Sequence, residues 1–570
     1  MEAVGNLRNH RHMTESAPAT PTRRWAVYAG MVLITVLGSW PFLATLDFPP
    51  MGLDSVLWMT RGAPDQPGWI DWVFRTQHFS VGYRPVAGVS FTLTHAFAGT
   101  NPLPYRVTDL LIHVVNGWLV FGVARLLAPE LSRWAALLAA AVFFLHPAGE
   151  EIVPWIERRS YSICTGLSLL GLWAALKAAR APAGPPPLLT ATAALCFGLS
   201  LVSNEMAVLA IAAAPALVFV SIPEGRDRLR NSARIALPVL GTVAAFFILR
   251  LWVIGEVGGY SPQGLEASRP GLVFAAYWRH LLAFCIEYPV KPGSLHPATA
   301  LALLVGCAYL AWRAFQPLSR RPLEPASLLP AALATWLLGA SFVLAAQRVW
   351  FPREVYPLLP PLGLLIGIVA GDSFRSQLRP RALHLTPQLL LLVALLHDSP
   401  ALRGQDPVRM QDWNEMRRMF EDVEARTPEL EPPALVLLAL PYNQDATRRN
   451  PLSARPLRPG PPRSTRLAAT WLNERFEGRE VEFIHALSYP EGFEWSSGVA
   501  FRRLDEGPAL VFPADKDFSV RADWRNSVEL PGGETAVWLD PFPQPGGRQR
   551  YLYLRSAGRD ELIRLTGTSP

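Results

Sequence analysis

"FLATLDFPPMGLDSVLWMTRG", residues 42–62, begins as the end of an apolar helix and runs straight into two acids. Asp47 follows the last leucine, and Asp54 comes after a turn-rich step through Pro49, Pro50 and Gly52. The apolar run behind them, from about Trp25 to Leu46, exceeds the roughly 7–15 residues of a signal-peptide core and matches the length of a membrane span. Arg8, Arg11, Arg23 and Arg24 precede it, so the run reads as an uncleaved first span with a cytoplasmic N-terminus. Both acids then lie where the span meets water on the other side. An acid in that position is an interfacial residue, a helix stop or a catalytic group at the bilayer surface.

The rest of the chain has the composition of a membrane protein: half of its 570 residues are hydrophobic and 17% are charged. Further apolar runs lie near 107–128, 132–147, 161–178, 186–203, 205–222, 234–254, 296–315, 326–346, 354–371 and 383–397. With the N-terminus inside, alternate loops carry most of the short-loop positive charge: Arg133, Lys177 to Arg180, 224–234, 316–321 and 374–381. The positive-inside rule is met by about eleven spans, and an odd number puts the C-terminus outside. The predicted fold is therefore mainly α, a polytopic membrane helical bundle. The segment 271–293, interrupted by Arg279, His280 and Glu287, is expected to be re-entrant or interfacial. The segment 69–79, with Trp69, Trp72, Val73 and Phe79 near one helical face, is expected to lie in the interface plane.

Beyond residue 398, short strand-like runs appear at 433–441, 480–488, 508–514, 535–542 and 550–556, bounded by Gly, Pro and Asp. They predict a soluble, strand-rich α/β or β domain of roughly 150 residues. The expected organisation is a cytoplasmic tail (1–24), a transmembrane domain (25–397) and an extracytoplasmic, periplasmic domain (398–570). Three lysines stand against fifty arginines, a bias of GC-rich, bacterial coding that makes the inner membrane the expected location. Most arginines sit in short loops between apolar runs, so the net charge of +7 does not make a nucleic-acid face. The cysteines (Cys164, Cys196, Cys285, Cys307) lie in apolar stretches with neither metal-ligand nor disulfide-framework spacing.

The predicted external ends are rich in polar groups from widely separated stretches. These are Asp47 and Asp54, "GYRPVAGVSF" (82–91), "FLHPAGEEIVPWIERRSY" (144–161), "SNEMAV" (203–208) and "QRVWFPREVYP" (347–357). Arg84 is biased to an extended conformation by Pro85, and His146-Pro147 stands at a helix exit with Glu151 shortly after. Glu150 and Glu151 face Arg158 and Arg159 across a short turn, which is equally the pattern of a structural ion-pair cluster. His113 and Asn116, one turn apart in an apolar run, read as an interhelical hydrogen-bonding pair. A transporter would carry paired charges or broken helices near mid-membrane and an inverted repeat; here the charges lie at the outer rim and no repeat is present.

In order along the chain, 83–116, 144–159, 203–208 and 347–365 resemble the membrane half of the tetratricopeptide-containing O-mannosyltransferases and their bacterial GT-C-class relatives. The resemblance implies a polyprenyl-phosphate-linked sugar donor and an extracytoplasmic protein, lipid or glycan acceptor. It makes Asp54 the match to a first-loop catalytic acid, with Asp47 in reserve. It assigns substrate binding to Arg84, His146, Glu151, Arg159, Glu205, Arg348 and Arg353, with the arginines suited to the departing phosphate. A divalent cation is left open. Relatives commonly carry Arg-x-Asp where this chain has Arg159-Ser160-Tyr161, and Lys-Glu where it has Asn204-Glu205. The competing reading is a catalytically inactive GT-C-like scaffold of an envelope assembly complex.

Overall fold

The computed structural model describes residues 21–50, 53–75, 82–129, 133–223, 227–255, 297–319, 325–346, 352–375, 381–396 and 407–430. It also describes 432–442, 471–473, 481–490, 500–504, 507–512, 527–529, 535–538, 549–556 and 559–564. The apolar runs within these residues are helices: α1 (Pro21–Leu43), α2 (Leu53–Arg61), α3 (Trp69–Arg75), α4 (Pro85–Ala98) and α5 (Pro102–Leu127). After them come α6 (Arg133–Leu145), α7 (Arg159–Arg180), α8 (Pro187–Leu201), α9 (Ala207–Ser221) and α10 (Arg228–Ile254). The series closes with α11 (Pro297–Phe315), α12 (Leu329–Ala346), α13 (Leu359–Arg375), α14 (Arg381–Leu396) and α15 (Pro407–Arg426). Local chemistry sets the ends. Pro102 opens α5 with the Asn101 side chain accepting from Leu103 N at 3.0 Å, and Asp227 caps α10 by accepting from Arg230 N at 2.9 Å. Both satisfy backbone donors that a helix start leaves over.

Among the described residues five helices are long and apolar enough to cross a membrane: Trp25–Leu43, Pro102–Leu127, Ile156–Arg180, Arg228–Ile254 and Arg353–Asp372. Four apolar helices are shorter, namely Arg133–Leu145, Pro187–Leu201, Ala207–Ser221 and Leu329–Ser341. A helix of 13–15 residues is only about 20–23 Å long, against a hydrocarbon core of about 30 Å. Among the described residues the expected count of about eleven full spans is therefore not supported. The helices nonetheless make a multi-pass membrane protein with apolar side chains turned outward: Trp252 on α10 is 83% exposed and Phe97 on α4 is 91% exposed.

Inside the bundle, α6 and α13 touch backbone to backbone. A Cβ on Gly363 would lie 2.5 Å from the Ala139 carbonyl oxygen, and one on Gly367 would lie 2.4 Å from that of Ala135. Lipid tails are as apolar as the helices, so association depends on such close fits between small residues four apart. Of the expected interfacial helix, the described part is α3. Its Trp72 ring stands edge-on to Trp58 at 4.9 Å and Val73 is buried, while Ile70 and Phe74 face outward. Phe79 lies outside the described residues, as does 271–293.

Following α15, the described residues include eight strands that pair in two sheets. The first has the order β2 (Val481–Pro490), β1 (Ala434–Tyr442), β7 (Gln549–Ser556), β8 (Arg559–Arg564), with β1 parallel to both neighbours. The second is antiparallel, in the order β3 (Ala500–Leu504), β4 (Gly507–Phe512), β6 (Thr535–Trp538), β5 (Ser527–Glu529). One apolar core joins this part of the chain to the first loops. Val56, Trp58 and Met59 of α2, Ala87 and Phe91 of α4, and Tyr105 of α5 pack with Phe420 and Val423 of α15, Val436 of β1, and Trp471.

Candidate functional site

The site is organised by a polar stripe on an otherwise apolar helix. Arg106, Asp109, His113 and Asn116 follow one another on α5 at intervals of three, four and three residues, which puts them on one helical face. All four are buried, at 1% exposure or less, where a polar group without a partner is costly. Arg106 donates to the Phe48 carbonyl, to that of Pro49 at 2.7 Å and to that of Pro154 at 3.3 Å. It thereby fastens the chain leaving α1 to the loop ahead of α7. Lower on the stripe, His113 Nδ1 lies 2.9 Å from the Tyr356 hydroxyl, and Asn116 Nδ2 donates to Ser162 O at 2.9 Å.

Asp109 forms an ion pair with Arg159, the first residue of α7. That guanidinium also donates to Tyr105 O (2.8 Å), Thr94 Oγ1 (3.0 Å) and Ser90 O (3.4 Å), and it lies 4.4 Å from the Phe91 ring centre. Arg159 therefore points into the protein, with each of its nitrogens engaged by α4 or α5. Asp109, from another helix, is the acid that neutralises Arg159 here.

Two residues on, Tyr161 is the meeting point of the outer groups. Arg84 and Arg353 lie 5.7 and 5.9 Å from its ring centre, and Arg353 Nε donates to its hydroxyl at 3.2 Å. Arg84, just ahead of α4, has φ −133° and ψ 51°. Pro85 keeps it out of the helical region and turns its side chain toward α7. Its guanidinium pairs with Glu205 at 3.3 Å and approaches Ser160 Oγ at 3.5 Å, which Asn204 Nδ2 also reaches at 3.4 Å. Burial alone would raise the Glu205 pKa. The attraction of Arg84, with backbone hydrogen bonding and Arg250 behind it, outweighs burial and holds the carboxyl below its ordinary value.

A second outer cluster follows α6. His146 Nδ1 accepts from Ala148 N at 3.1 Å, capping the 3-10 turn Pro147–Glu151. Arg158 donates to Glu151 Oε2 at 2.7 Å and lies 4.4 Å from the Trp155 ring centre. Glu157 accepts from Ser55 Oγ on α2, and Asp54 is the half-buried neighbour of Ser55 in the first turn of that helix. Asp47 is exposed and pairs with Arg417 of α15 at 2.8 Å.

Of the expected site residues, Arg84, Glu205 and Arg353 come together at Tyr161. His146 and Glu151 share the second cluster, to which Asp54 is linked through Ser55. Arg159 is engaged by Asp109, Thr94 and Tyr105 O rather than by the Tyr161 group. Arg348 lies outside the described residues. Sequence reasoning missed Arg106, Asp109 and Tyr161. The helical period of Arg106 and Asp109 with His113 and Asn116 was the available signal; nothing local singles out Tyr161. Among the described residues no group of three or more His, Cys, Asp or Glu side chains is arranged to hold a metal ion.

No protein-family model matches the chain. A 78-residue stretch, 14% of this chain, is 41% identical to Protein O-mannosyl-transferase Tmtc1 of Drosophila melanogaster and covers 9% of that protein. Among solved structures, ArnT from Cupriavidus metallidurans in the apo state aligns with a TM-score of 0.41 at 14% identity, over 73% of this chain and 82% of that one. The same protein bound to undecaprenyl phosphate aligns with a TM-score of 0.40 at 13% identity, over 74% and 83%. The arabinofuranosyltransferase AftD from Mycobacteria gives 0.38 at 17% identity, over 73% and 30%. The chain resembles the GT-C class of polytopic membrane glycosyltransferases.

Proposed function

We propose that this protein is an integral membrane glycosyltransferase that moves a sugar from a polyprenyl-phosphate-linked donor to an acceptor outside the cytoplasm. The observation that carries the reading is the meeting of Arg84, Arg353 and Glu205 around Tyr161 from four separate stretches of chain. Two guanidiniums within 6 Å of one aromatic ring suit a lipid-linked phosphate, because charge-assisted hydrogen bonds to phosphate are strong and Arg offers them in pairs. Arg84 is shared with Glu205 until phosphate arrives. In the reaction the acceptor oxygen bonds to the anomeric carbon as the bond from that carbon to the phosphate oxygen breaks. The acceptor proton passes to Asp54, the general base of this reading, and the polyprenyl phosphate leaves between Arg84 and Arg353.

Asp54 is preferred to Asp47 because it is half-buried in the first turn of α2 whereas Asp47 is exposed. Arg159 is a positioning residue, holding α4 and α5 against the start of α7. His146 and Glu151 are assigned to the acceptor side, and Arg348 stays a candidate phosphate ligand. The name of the 41%-identical relative puts mannose first among donor sugars and a protein hydroxyl first among acceptors. In this reading the membrane is the bacterial inner membrane, the N-terminus is cytoplasmic, and residues 398–570 form a periplasmic domain.

The test is polyprenyl-phosphate binding by the purified protein. Arg84→Ala and Arg353→Ala should each weaken it by about tenfold or more, the loss of one charge-assisted contact. The exposed Arg230, replaced by Ala, serves as control. Asp54→Asn should bind donor normally and abolish transfer. Equal binding by wild type, Arg84→Ala and Arg353→Ala would make these arginines structural and overturn the reading.

A further inference from the structure

A second feature of the bundle lies away from the Tyr161 site, on the seam between α5 and α7. The two helices are joined near their starts, where Arg159 pairs with Asp109 and donates to Tyr105 O, and both are long and apolar enough to cross a membrane. Along their farther halves the seam carries an open groove of about 350 Å³, lined by Val114, Val115, Trp118, Leu119 and Gly122 of α5 with Leu170 and Trp173 of α7. Val115 is 55% exposed and Trp118 37% exposed, so the groove faces the bilayer rather than the protein core. Gly122 leaves its floor open: a Cβ there would meet the Trp173 indole only at ordinary contact distance, 3.7 Å.

Charge gathers at the end of the groove farthest from the Tyr161 site. Lys177, an exposed residue in the last turn of α7, carries its ammonium over the Trp173 ring, 4.5 Å from the centre. Arg125 stands one turn beyond Gly122 in the last turn of α5. Arg180 donates to Leu127 O at 3.2 Å, tying the two helix ends together. Seven apolar residues along the seam and cations at its end complement one kind of membrane component. We propose that the α5–α7 groove is a binding site for an anionic phospholipid, with one acyl chain along Trp118 and Trp173 and the phosphodiester at Lys177 and Arg125. Basic pockets between membrane helices recognise anionic headgroups in this way. Lys177 is in the last turn of α7 and Tyr161 near its start, so the proposal does not depend on the reading of the Tyr161 cluster.

The whole protein, purified in detergent, is titrated with phosphatidylglycerol or with phosphatidylcholine of the same chains, and bound lipid is counted by native mass spectrometry. Wild type should retain one phosphatidylglycerol with a preference of about tenfold or more over phosphatidylcholine. Lys177→Gln should erase the preference while leaving chain binding. Gly122→Leu should fill the groove and expel both lipids. Should Gly122→Leu fail to fold, Lys177→Gln, altered only at an exposed side chain, decides the matter alone. Equal retention of the two lipids by wild type, or a preference unchanged in Lys177→Gln, would overturn the proposal.

Discussion

The buried pair Asp109–Arg159 permits a sharp test, because its two partners are supported unequally. Removing Asp109 as Ala leaves Arg159 with three oxygens, Tyr105 O, Thr94 Oγ1 and Ser90 O, and with the Phe91 ring beneath it. Removing Arg159 as Met leaves Asp109 in a site where its Oδ2 already lacks a partner among the described residues. It also strips Thr94 and the Tyr105 carbonyl of their donor. Breaking a buried pair from one side costs about 3–5 kcal/mol, since the surviving charge is uncompensated. Asp109→Ala should fall near the lower figure and Arg159→Met near the upper. The double variant removes both charges and should be clearly more stable than the sum of the singles, with a coupling of about 1–3 kcal/mol. Unfolding by SDS titration, followed by tryptophan fluorescence, measures all four proteins. Single costs that add in the double variant to within about 0.5 kcal/mol would show that the pair is not a unit, and the account of Arg159 as an internal strut would fail.

Three further outcomes are expected. Gly363→Ala and Gly367→Ala should each cost about 1–3 kcal/mol by forcing α6 and α13 apart, whereas Gly339→Ala, with nothing within 4 Å of its Cβ, should be near neutral; thermal unfolding in detergent compares them. Glu205 has a lowered folded-state pKa, so its contribution is present above the unfolded pKa and lost as pH falls through the folded one. The stability gap between wild type and Glu205→Gln should accordingly be widest near neutral pH and close on acidification, and a gap that widens in acid would refute the pairing with Arg84. Lastly, Arg417→Ala removes a largely exposed pair with Asp47 and should change stability by less than about 1 kcal/mol, while Phe420→Ala, buried in the shared core, should cost about 3–5 kcal/mol.

What could be read in the sequence follows from how local each signal is. The run 107–128 is the body of α5, and 205–222 is α9 within two residues, because a span is announced by its own side chains. Span status was harder, since helices such as Arg133–Leu145 are apolar yet too short to cross alone. Arg84, Glu205 and Arg353 were legible as polar residues at helix ends, where a membrane protein pays attention to charge placement for topology or chemistry. Arg159 was legible as a residue and not as a role: its partner Asp109 lies fifty residues away on another helix. Asp47 has the same history, since its partner Arg417 is 370 residues on. Arg106 and Asp109 were readable in principle, from the period they share with His113 and Asn116.

The core shared by the first loops and the later chain also fixes an order of biosynthesis. Val56, Trp58, Met59 and Phe91 are made early, yet the residues that cover them, Phe420, Val423 and Trp471, are made late. At roughly 5–20 residues per second, the early apolar surface waits on the order of tens of seconds at the membrane face before its cover arrives. During that interval α2 packs only against the earlier members of the core, Ala87, Phe91, Tyr105 and Ile156. A chain cut short before Phe420 would lack the residues that complete this core. The protein thus matures only when its last third has been translated.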